Sequence, residues 1–463
     1  MSIKVFIHAL VMFVILIISA NAQVFNVMDY GATGDGKSDD SLAFSKSWNE
    51  TCMALGNPTL IIPKGKTFLL SLTTFSGPCK STNISIMLSG TIVAPNGPKE
   101  WKASDISRWL TFKDIHGLTV TGFGLIDGRG KDWWGVSCRY YKNKECLTQM
   151  PTFCRRLFPT PMPSSDPPFV CLPPWKTNQS SSPMVNGGLS SFMEDVRDLI
   201  RLYQDDQSEL FTGGAHRAVR FENCEDIRMN NIYFVNSPQC HILVSGCRYV
   251  DLRFLNIKAS ADSPNTDGIH ISSSHNVSLQ HLTIGTGDDC ISIGDYTSNI
   301  NIVGVRCGPG HGISIGSLGG GGNEVQVENI TVHDAHFYGS TNGVRIKTWQ
   351  VGRGNVKNIH FSNLTFENVD NPIIIDQHYG DLRAPPTNTG VHISNVSYYG
   401  ATGSSKTKVA INLNCSSIVP CTDITLENIK LDSAVAGNKL SSSCNFAHGF
   451  TKGYVTPSSC LVQ

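Results

Sequence analysis

Apolar and polar residues alternate in short blocks along the second half of the chain, and the blocks repeat. Ile227-Arg228-Met229-Asn230-Asn231-Ile232 is followed by Val250-Asp251-Leu252-Arg253-Phe254-Leu255-Asn256-Ile257. Val277-Ser278-Leu279-Gln280-His281-Leu282-Thr283-Ile284 and Ile300-Asn301-Ile302-Val303-Gly304-Val305 come next, and the series continues at Val327, Ile359, Val391 and Ile424. The first steps are 23, 27, 23 and 27 residues and later ones reach about 32. A two-residue period predicts strands, and the Gly and Asn between blocks suit tight turns. Units of this size cannot bury an apolar face alone, but stacked they share a continuous core. The expected fold is all-β, a single-domain right-handed parallel β-helix. An antiparallel β-sandwich also uses many short strands, but its turns come every roughly 8–12 residues without a longer self-similarity. Only one stretch, described next, shows a 3.6-residue period.

Residues 153–217 interrupt the pattern. Phe158-Pro159-Thr160-Pro161-Met162-Pro163, Asp166-Pro167-Pro168 and Leu172-Pro173-Pro174 cannot sustain ladder hydrogen bonds. Phe192, Val196, Leu199 and Tyr203 then fall at helical spacing. This stretch is expected to be a non-solenoid insertion, either disordered or a gene-model artefact such as a retained intron; the alternative is a surface lid with a short amphipathic helix. At the other end, Lys4 precedes an apolar run from Val5 to Ile18 and the small residues Ala20-Asn21-Ala22. That is the three-part form of a secretory signal peptide over 1–22, too short for a membrane span. The β-helix catalytic domain then covers 23–463.

Composition narrows the partners. Of 463 residues, 16% are charged, and the formal net charge is zero, which gives no support to general binding of nucleic acid or membrane. Fifteen cysteines fit a secreted, disulfide-bonded chain, and Cys290/Cys307, Cys415/Cys421 and Cys444/Cys460 are plausible local pairs. No close Cys-x-x-Cys elements exist, so no metal or cofactor is expected. Asn49, Asn83, Asn276, Asn329, Asn363 and Asn395 begin glycosylation sequons. The last four coincide with the repeat, where Asn can instead serve turns or an internal ladder.

Candidate chemistry recurs at the same interval. Asp267 and Asp288 are 21 residues apart, and Asp289 and His311 are 22 apart, so on a solenoid all stack at one place. Adjacent strands lie about 4.8 Å apart, which makes Asp267 and Asp288 near neighbours. Crowded carboxyls cannot all ionise easily, so one stays protonated as a general acid while the others activate water. Inverting glycoside hydrolysis needs that division, with roughly 6.5–9.5 Å between acid and base. Arg345 and Lys347, two apart on a strand, share a face and can grip a sugar carboxylate. His311 can bind substrate or hold the acid, and Tyr379 offers a ring and a hydroxyl one coil on. Singly, each would more often be a turn or surface residue; their common phase with the repeat singles them out.

The strings Asn265-Thr266-Asp267, Gly287-Asp288-Asp289-Cys290, Gly310-His311-Gly312-Ile313-Ser314 and Arg345-Ile346-Lys347, in this order, resemble the signature of the polygalacturonases, glycoside hydrolase family 28. Asp127-Gly128-Arg129-Gly130-Lys131-Asp132-Trp133-Trp134 and Phe25-Asn26-Val27-Met28-Asp29-Tyr30-Gly31-Ala32 are similar to plant members in particular, and the likeness covers most of 24–152 and 218–462. The resemblance implies a pectin-degrading, inverting β-helix enzyme of the cell wall, acting as a monomer on an acidic polysaccharide, homogalacturonan. It implies Asp288 as general acid, Asp267 and Asp289 as the pair that holds and activates water, and His311 as support for acid and substrate. Asn265, Arg345, Lys347 and Tyr379 would bind substrate. Tyr379 is followed by Gly380, where many plant members carry a cysteine.

Three other functions remain to be weighed. Gly312-Ile313-Ser314-Ile315-Gly316 matches the Gly-x-Ser-x-Gly of serine esterases, with Asp376 and His378 downstream, but that motif works only at a strand–turn–helix elbow. A pectate lyase would share fold and substrate but use calcium and an arginine base. A non-catalytic polysaccharide-binding solenoid would have no need of stacked acids.

Overall fold

The computed structural model describes residues 23–101, 105, 107–135, 215–380 and 388–462. All of these except Gly135 belong to one compact unit. It is a right-handed parallel β-helix. Eleven parallel strands, from Thr73–Ser76 to Ser441–Asn445, form one face, and a twenty-strand sheet forms the rest of the coils.

Strand periodicity sorts each coil into an inside and an outside. On the eleven-strand face Ile269, Ile291, Ile313, Val344, Ile373 and Ile411 stand in direct register and have no exposed surface. Each such side chain contributes about 1.5–3 kcal/mol on burial. Their sequence neighbours, His270, Ser292, Ser314, Arg345, Ile374 and Asn412, form the parallel outward column.

The repeat read from sequence holds, but its phase needs a correction. Ile227, Val250, Val277 and Ile300 stack as expected, and the column continues through Ile330, Ile359, Val396 and Ile424, not Val327 and Val391. Asn329, with φ 60°, makes a left-handed corner between Val327 and Ile330, so the two-residue alternation is broken there and both apolar residues turn inward. Asn299, Asn358 and Asn395 have the same left-handed conformation. Their amides form a ladder: Asn329 donates to Asn299 at 3.0 Å, Asn358 to Asn329 at 3.0 Å and Asn395 to Asn358 at 2.9 Å. The ladder is exposed, not internal.

A helix that periodicity missed, Ser41–Met53, lies at the N-terminal end. Its buried stripe is Ala43, Phe44, Ser47, Trp48, Thr51 and Cys52. Ser47 and Thr51 satisfy themselves on the helix backbone, so two polar residues occupy core positions and mask the helical pattern. The three expected cysteine pairs are formed, and a fourth bridge, Cys52–Cys79, ties this helix to the loop after strand Thr73–Ser76. Cys224, Cys240 and Cys247 are free and buried.

The leader 1–22 and the insertion, except for 215–217, lie outside the described residues. The flanking coils meet directly. Leu110–Lys113 pairs with Val219–Glu222, His116–Thr121 with Glu225–Asn230, and Leu125–Asp127 with Tyr233–Val235. Among the described residues no helix is long and apolar enough to cross a membrane.

Candidate active site

Three turns deliver the acids. Asp267 sits immediately before Gly268 and strand Ile269–Ser272; Asp288 and Asp289 lie just before strand Ile291–Ile293; His311 lies just before strand Ile313–Leu318. Backbone bonds run between these turns: Gly268 N donates to Asp289 O at 2.9 Å, and His311 N to Asp288 O at 2.8 Å. The acids therefore ride on hydrogen-bonded backbone from successive coils, which fixes their spacing.

Each carboxyl has a different environment. Asp289 is almost fully buried. Its Oδ1 accepts from Arg345 Nη2 at 2.8 Å and from Ser314 Oγ at 2.7 Å, and its Oδ2 accepts from Lys347 Nζ at 2.8 Å. Both of its oxygens are thus taken up by donors, two of them cationic. Asp288 is edged toward solvent, and its Oδ1 accepts from His311 Nδ1 at 2.9 Å and from the Asp289 N–H at 2.9 Å. Asp267 keeps part of its residue surface open, yet protein crowds its carboxyl; burial, then the charges of Asp288 and Asp289, push it up to about 7. Its Oδ2 accepts from Ser292 Oγ at 2.6 Å, and Ser292 in turn contacts His270 Nδ1 at 2.7 Å.

All three acids and His311 thus come together as the repeat interval requires. Arg345 and Lys347 share a face, but the structure adds what sequence did not: both are already bound to Asp289, so they set the charge of the site as well as facing it. Tyr379 stands in register with Trp349, which meets its ring edge-on at 5.7 Å, and Lys347 Nζ lies 5.3 Å from the tyrosine ring centre. Gly380, at φ +99°, is required here: a Cβ would fall 2.0 Å from the Trp349 ring. This explains why no cysteine follows Tyr379. Asn265 occupies the turn before Asp267 in a left-handed conformation and makes no side-chain hydrogen bond among the described residues.

Five residues of the site are not evident from the sequence. Ser292, His270 and Trp349 were passed over, and Ser314 was considered only as an esterase nucleophile. His241 was also missed. Ser237 N–H donates to its Nε2 at 3.3 Å, so its Nδ1 carries the proton and donates to the Asp267 carbonyl at 3.1 Å. Burial pushes His241 down to about 4, which keeps it neutral in this role. The available signal for Ser292 and Ser314 was their phase: both are outward neighbours of core isoleucines on the strands that follow the acids.

The esterase reading fails on this geometry. Ser314 is fully buried within its strand and spends its proton on Asp289, and only a three-residue 3-10 turn, Gly320–Gly322, follows that strand. Asp288, Asp289 and His311 stand close enough to share a cation, but one would have to displace Arg345 and Lys347 from Asp289.

Comparison with known proteins places this arrangement. The family model described as glycosyl hydrolases family 28 matches residues 52–155 and 206–460. Polygalacturonase-2 of Solanum lycopersicum is 37% identical over 437 residues, covering 94% of this chain and 80% of the relative. Polygalacturonase QRT2 of Arabidopsis thaliana is 36% identical over 440 residues, covering 95% and 84%. The chain belongs to glycoside hydrolase family 28. Among solved structures, an endo-xylogalacturonan hydrolase from Aspergillus tubingensis has TM-score 0.66 at 18% identity, over 93% of this chain and 99% of that one. A hyperthermoactive exopolygalacturonase from Thermotoga maritima has TM-score 0.62 at 20% identity, over 89% of each. At these identities they speak to the fold.

Proposed function

We propose that the protein hydrolyses α-1,4-galacturonosyl linkages of homogalacturonan by a single displacement with inversion. Family membership and the polygalacturonase relatives support the reaction. The observation that carries the mechanism is the unequal treatment of three adjacent acids: one bound by two cations, one by a histidine, one pushed up by burial.

Asp288 is the general acid. Its Oδ1 already accepts two hydrogen bonds, so a proton belongs on Oδ2, and delivery to the glycosidic oxygen leaves a carboxylate that His311 stabilises. Asp267 and Asp289 hold the attacking water, and Asp267 takes its proton, because both oxygens of Asp289 already accept bonds, from Ser314, Arg345 and Lys347. A proton on Asp288 removes one of the two charges that push Asp267 up, so a protonated acid and an ionised base support one another. Arginine has five N–H donors and lysine three, so Arg345 and Lys347 retain donors for a galacturonate carboxylate beside their bonds to Asp289. Asn265 and Tyr379 complete the substrate contacts, the tyrosine braced by Trp349.

The working protein is read as secreted to the cell wall after loss of 1–22, as a monomer, and the four disulfides among the described residues support an oxidising compartment. Residues 153–214 are read as standing outside the catalytic fold, whereas 215–217 join it: His216 is fully buried and stacks on Trp101, and Arg217 N donates to Ser107 O at 3.4 Å. The break in the family match over 156–205 and the direct pairing of the coils on either side support this. The test is reducing-end release from polygalacturonate, with product sizes followed in time to separate endo from exo attack. Early products should carry β-anomeric ends by proton NMR and no 4,5 double bond. Unsaturated, chelator-sensitive products would identify a lyase, and initial α-anomers would require a covalent nucleophile.

A further inference from the structure

We propose that Ser292 and His270 form a positioning pair for the base, in which His270 commits the single hydroxyl proton of Ser292 to Asp267 and so keeps that carboxylate ionised and aimed at the water. The inference rests on the assignment of Asp267 as base and adds two residues to it.

The three side chains come from two adjacent coils, Asp267 and His270 from one and Ser292 from the next. His270 and Ser292 are direct register partners in the outward column, and Asp267 precedes the strand that carries His270. Ser292 Oγ lies 2.6 Å from Asp267 Oδ2 and 2.7 Å from His270 Nδ1. A serine hydroxyl has one hydrogen. Both bonds form together with an ionised Asp267 only if His270 Nδ1–H donates to Ser292 and Ser292 donates to Asp267. The opposite tautomer would draw the serine proton to His270 and leave Asp267 Oδ2 facing a lone pair.

The surroundings keep this polarity fixed. Burial, then Arg217 and Lys347, push His270 down to about 4, with Asp289 acting the other way. His270 is neutral above that range, and its protonated form would still donate from Nδ1. Asp267 faces Asp288, Asp289, Lys347 and the Cys240 thiol, and burial with the two acids raises it while Ser292 and Lys347 oppose the rise. The neighbouring coil repeats the device. Ser314, the register partner of Ser292, takes a bond from Arg345 Nε at 2.9 Å and donates its own proton to Asp289 at 2.7 Å. In both coils a donor stands behind a serine and a carboxylate in front of it.

The test is the pH profile of kcat/KM on polygalacturonate. The acid limb reports ionisation of the base. Ser292→Ala removes a hydrogen bond that favours the ionised form, so the limb should move up by about one to two pH units while the alkaline limb, set by the acid, stays. Ser292→Thr, which keeps the hydroxyl, should leave the limb at its wild-type place, and Ser292→Cys, a weaker donor of similar size, should move it up by less than alanine does. His270→Leu should move it in the same direction, His270→Asn should restore it, and His270→Leu should add no shift in a Ser292→Ala background. A Ser292→Ala or Ser292→Cys enzyme with uniformly lower activity and an unmoved limb would overturn the proposal. So would an undiminished His270→Leu shift in the Ser292→Ala background. Asp267→Asn separates the two levels: an active variant removes the base assignment itself, whereas an inactive one beside an unmoved Ser292→Ala limb removes only the positioning pair.

Discussion

Replacing Lys347 with methionine tests whether the cations serve Asp289 or only the substrate. A lysine that merely gripped a sugar carboxylate would raise KM when removed and leave the free enzyme untouched. Here Lys347 Nζ binds Asp289 Oδ2 at 2.8 Å, with the two side chains only 9% and 2% exposed. Methionine keeps the volume of the stem but strands Oδ2. Removing one partner of a buried pair costs about 3–5 kcal/mol, and since Arg345 and Ser314 still hold Oδ1, the lower end applies, about 3 kcal/mol. At no more than about 2 °C per kcal/mol for a chain of this length, thermal unfolding should fall by up to about 6 °C. Turnover should fall together with a rise in KM, because Asp267 loses the Lys347 charge that lowers it while Asp289 still raises it. Adding Asp289→Asn to Lys347→Met should recover most of the stability without recovering turnover, since the stranded charge is then gone. Circular dichroism melts and reducing-end kinetics on the four proteins of this cycle suffice. A Lys347→Met protein with wild-type melting and a defect in KM alone would show that the pair with Asp289 is not what organises the site.

Three more outcomes follow from the same geometry. Asp288→Asn should lower turnover by about 10²–10⁴-fold while polygalacturonate binding, measured by affinity electrophoresis, persists. Asp267→Asn should stabilise the fold at alkaline pH: a carboxyl raised to about 7 when folded, against about 3.9 unfolded, binds its proton more tightly in the native state. Wild-type stability therefore declines as pH rises from about 4 through about 7. The variant's advantage in chemical denaturation should grow from near zero at pH 4 to at most about 4 kcal/mol at pH 8, and a pH-independent difference would contradict the linkage. Joining Thr152 directly to Ala215, which keeps the buried His216 and Arg217, should give a secreted, active enzyme, and the full chain should be cut by protease within 153–214. An inactive deletion beside a protease-resistant full chain would make that segment an integral lid.

Much of this was legible because a parallel β-helix writes its geometry into spacing. Ile227, Val250, Val277 and Ile300 announce the coil, and the same interval brings Asp267, Asp288 and His311 together. What stayed hidden depends on features that a two-residue alternation of apolar and polar residues does not carry. The helix Ser41–Met53 buries Ser47 and Thr51, so its stripe does not look apolar. The phase slips at Asn329 because one left-handed residue resets which neighbours face inward. Within the site, residue types named the acids and cations, but not the bonds between them. Whether Arg345 and Lys347 point at substrate or at Asp289 depends on side-chain reach across two coils, and Ser292, Ser314, His270 and His241 are too common in strands to be noticed before their partners are placed.

If the sequons meet the glycosylation machinery, the asparagine ladder sets a race during biosynthesis. An N-linked glycan attaches through the amide nitrogen of a sequon asparagine, and that nitrogen is the one Asn329 and Asn395 donate to the preceding coil. A glycosylated amide would keep one N–H but carry a sugar on the side where the preceding coil stacks. Glycosylation acts on chain not yet packed, and coil formation withdraws the acceptor, so each reaction closes the door on the other. The order in which these coils close then decides whether the carbohydrate-cleaving protein carries carbohydrate along this edge.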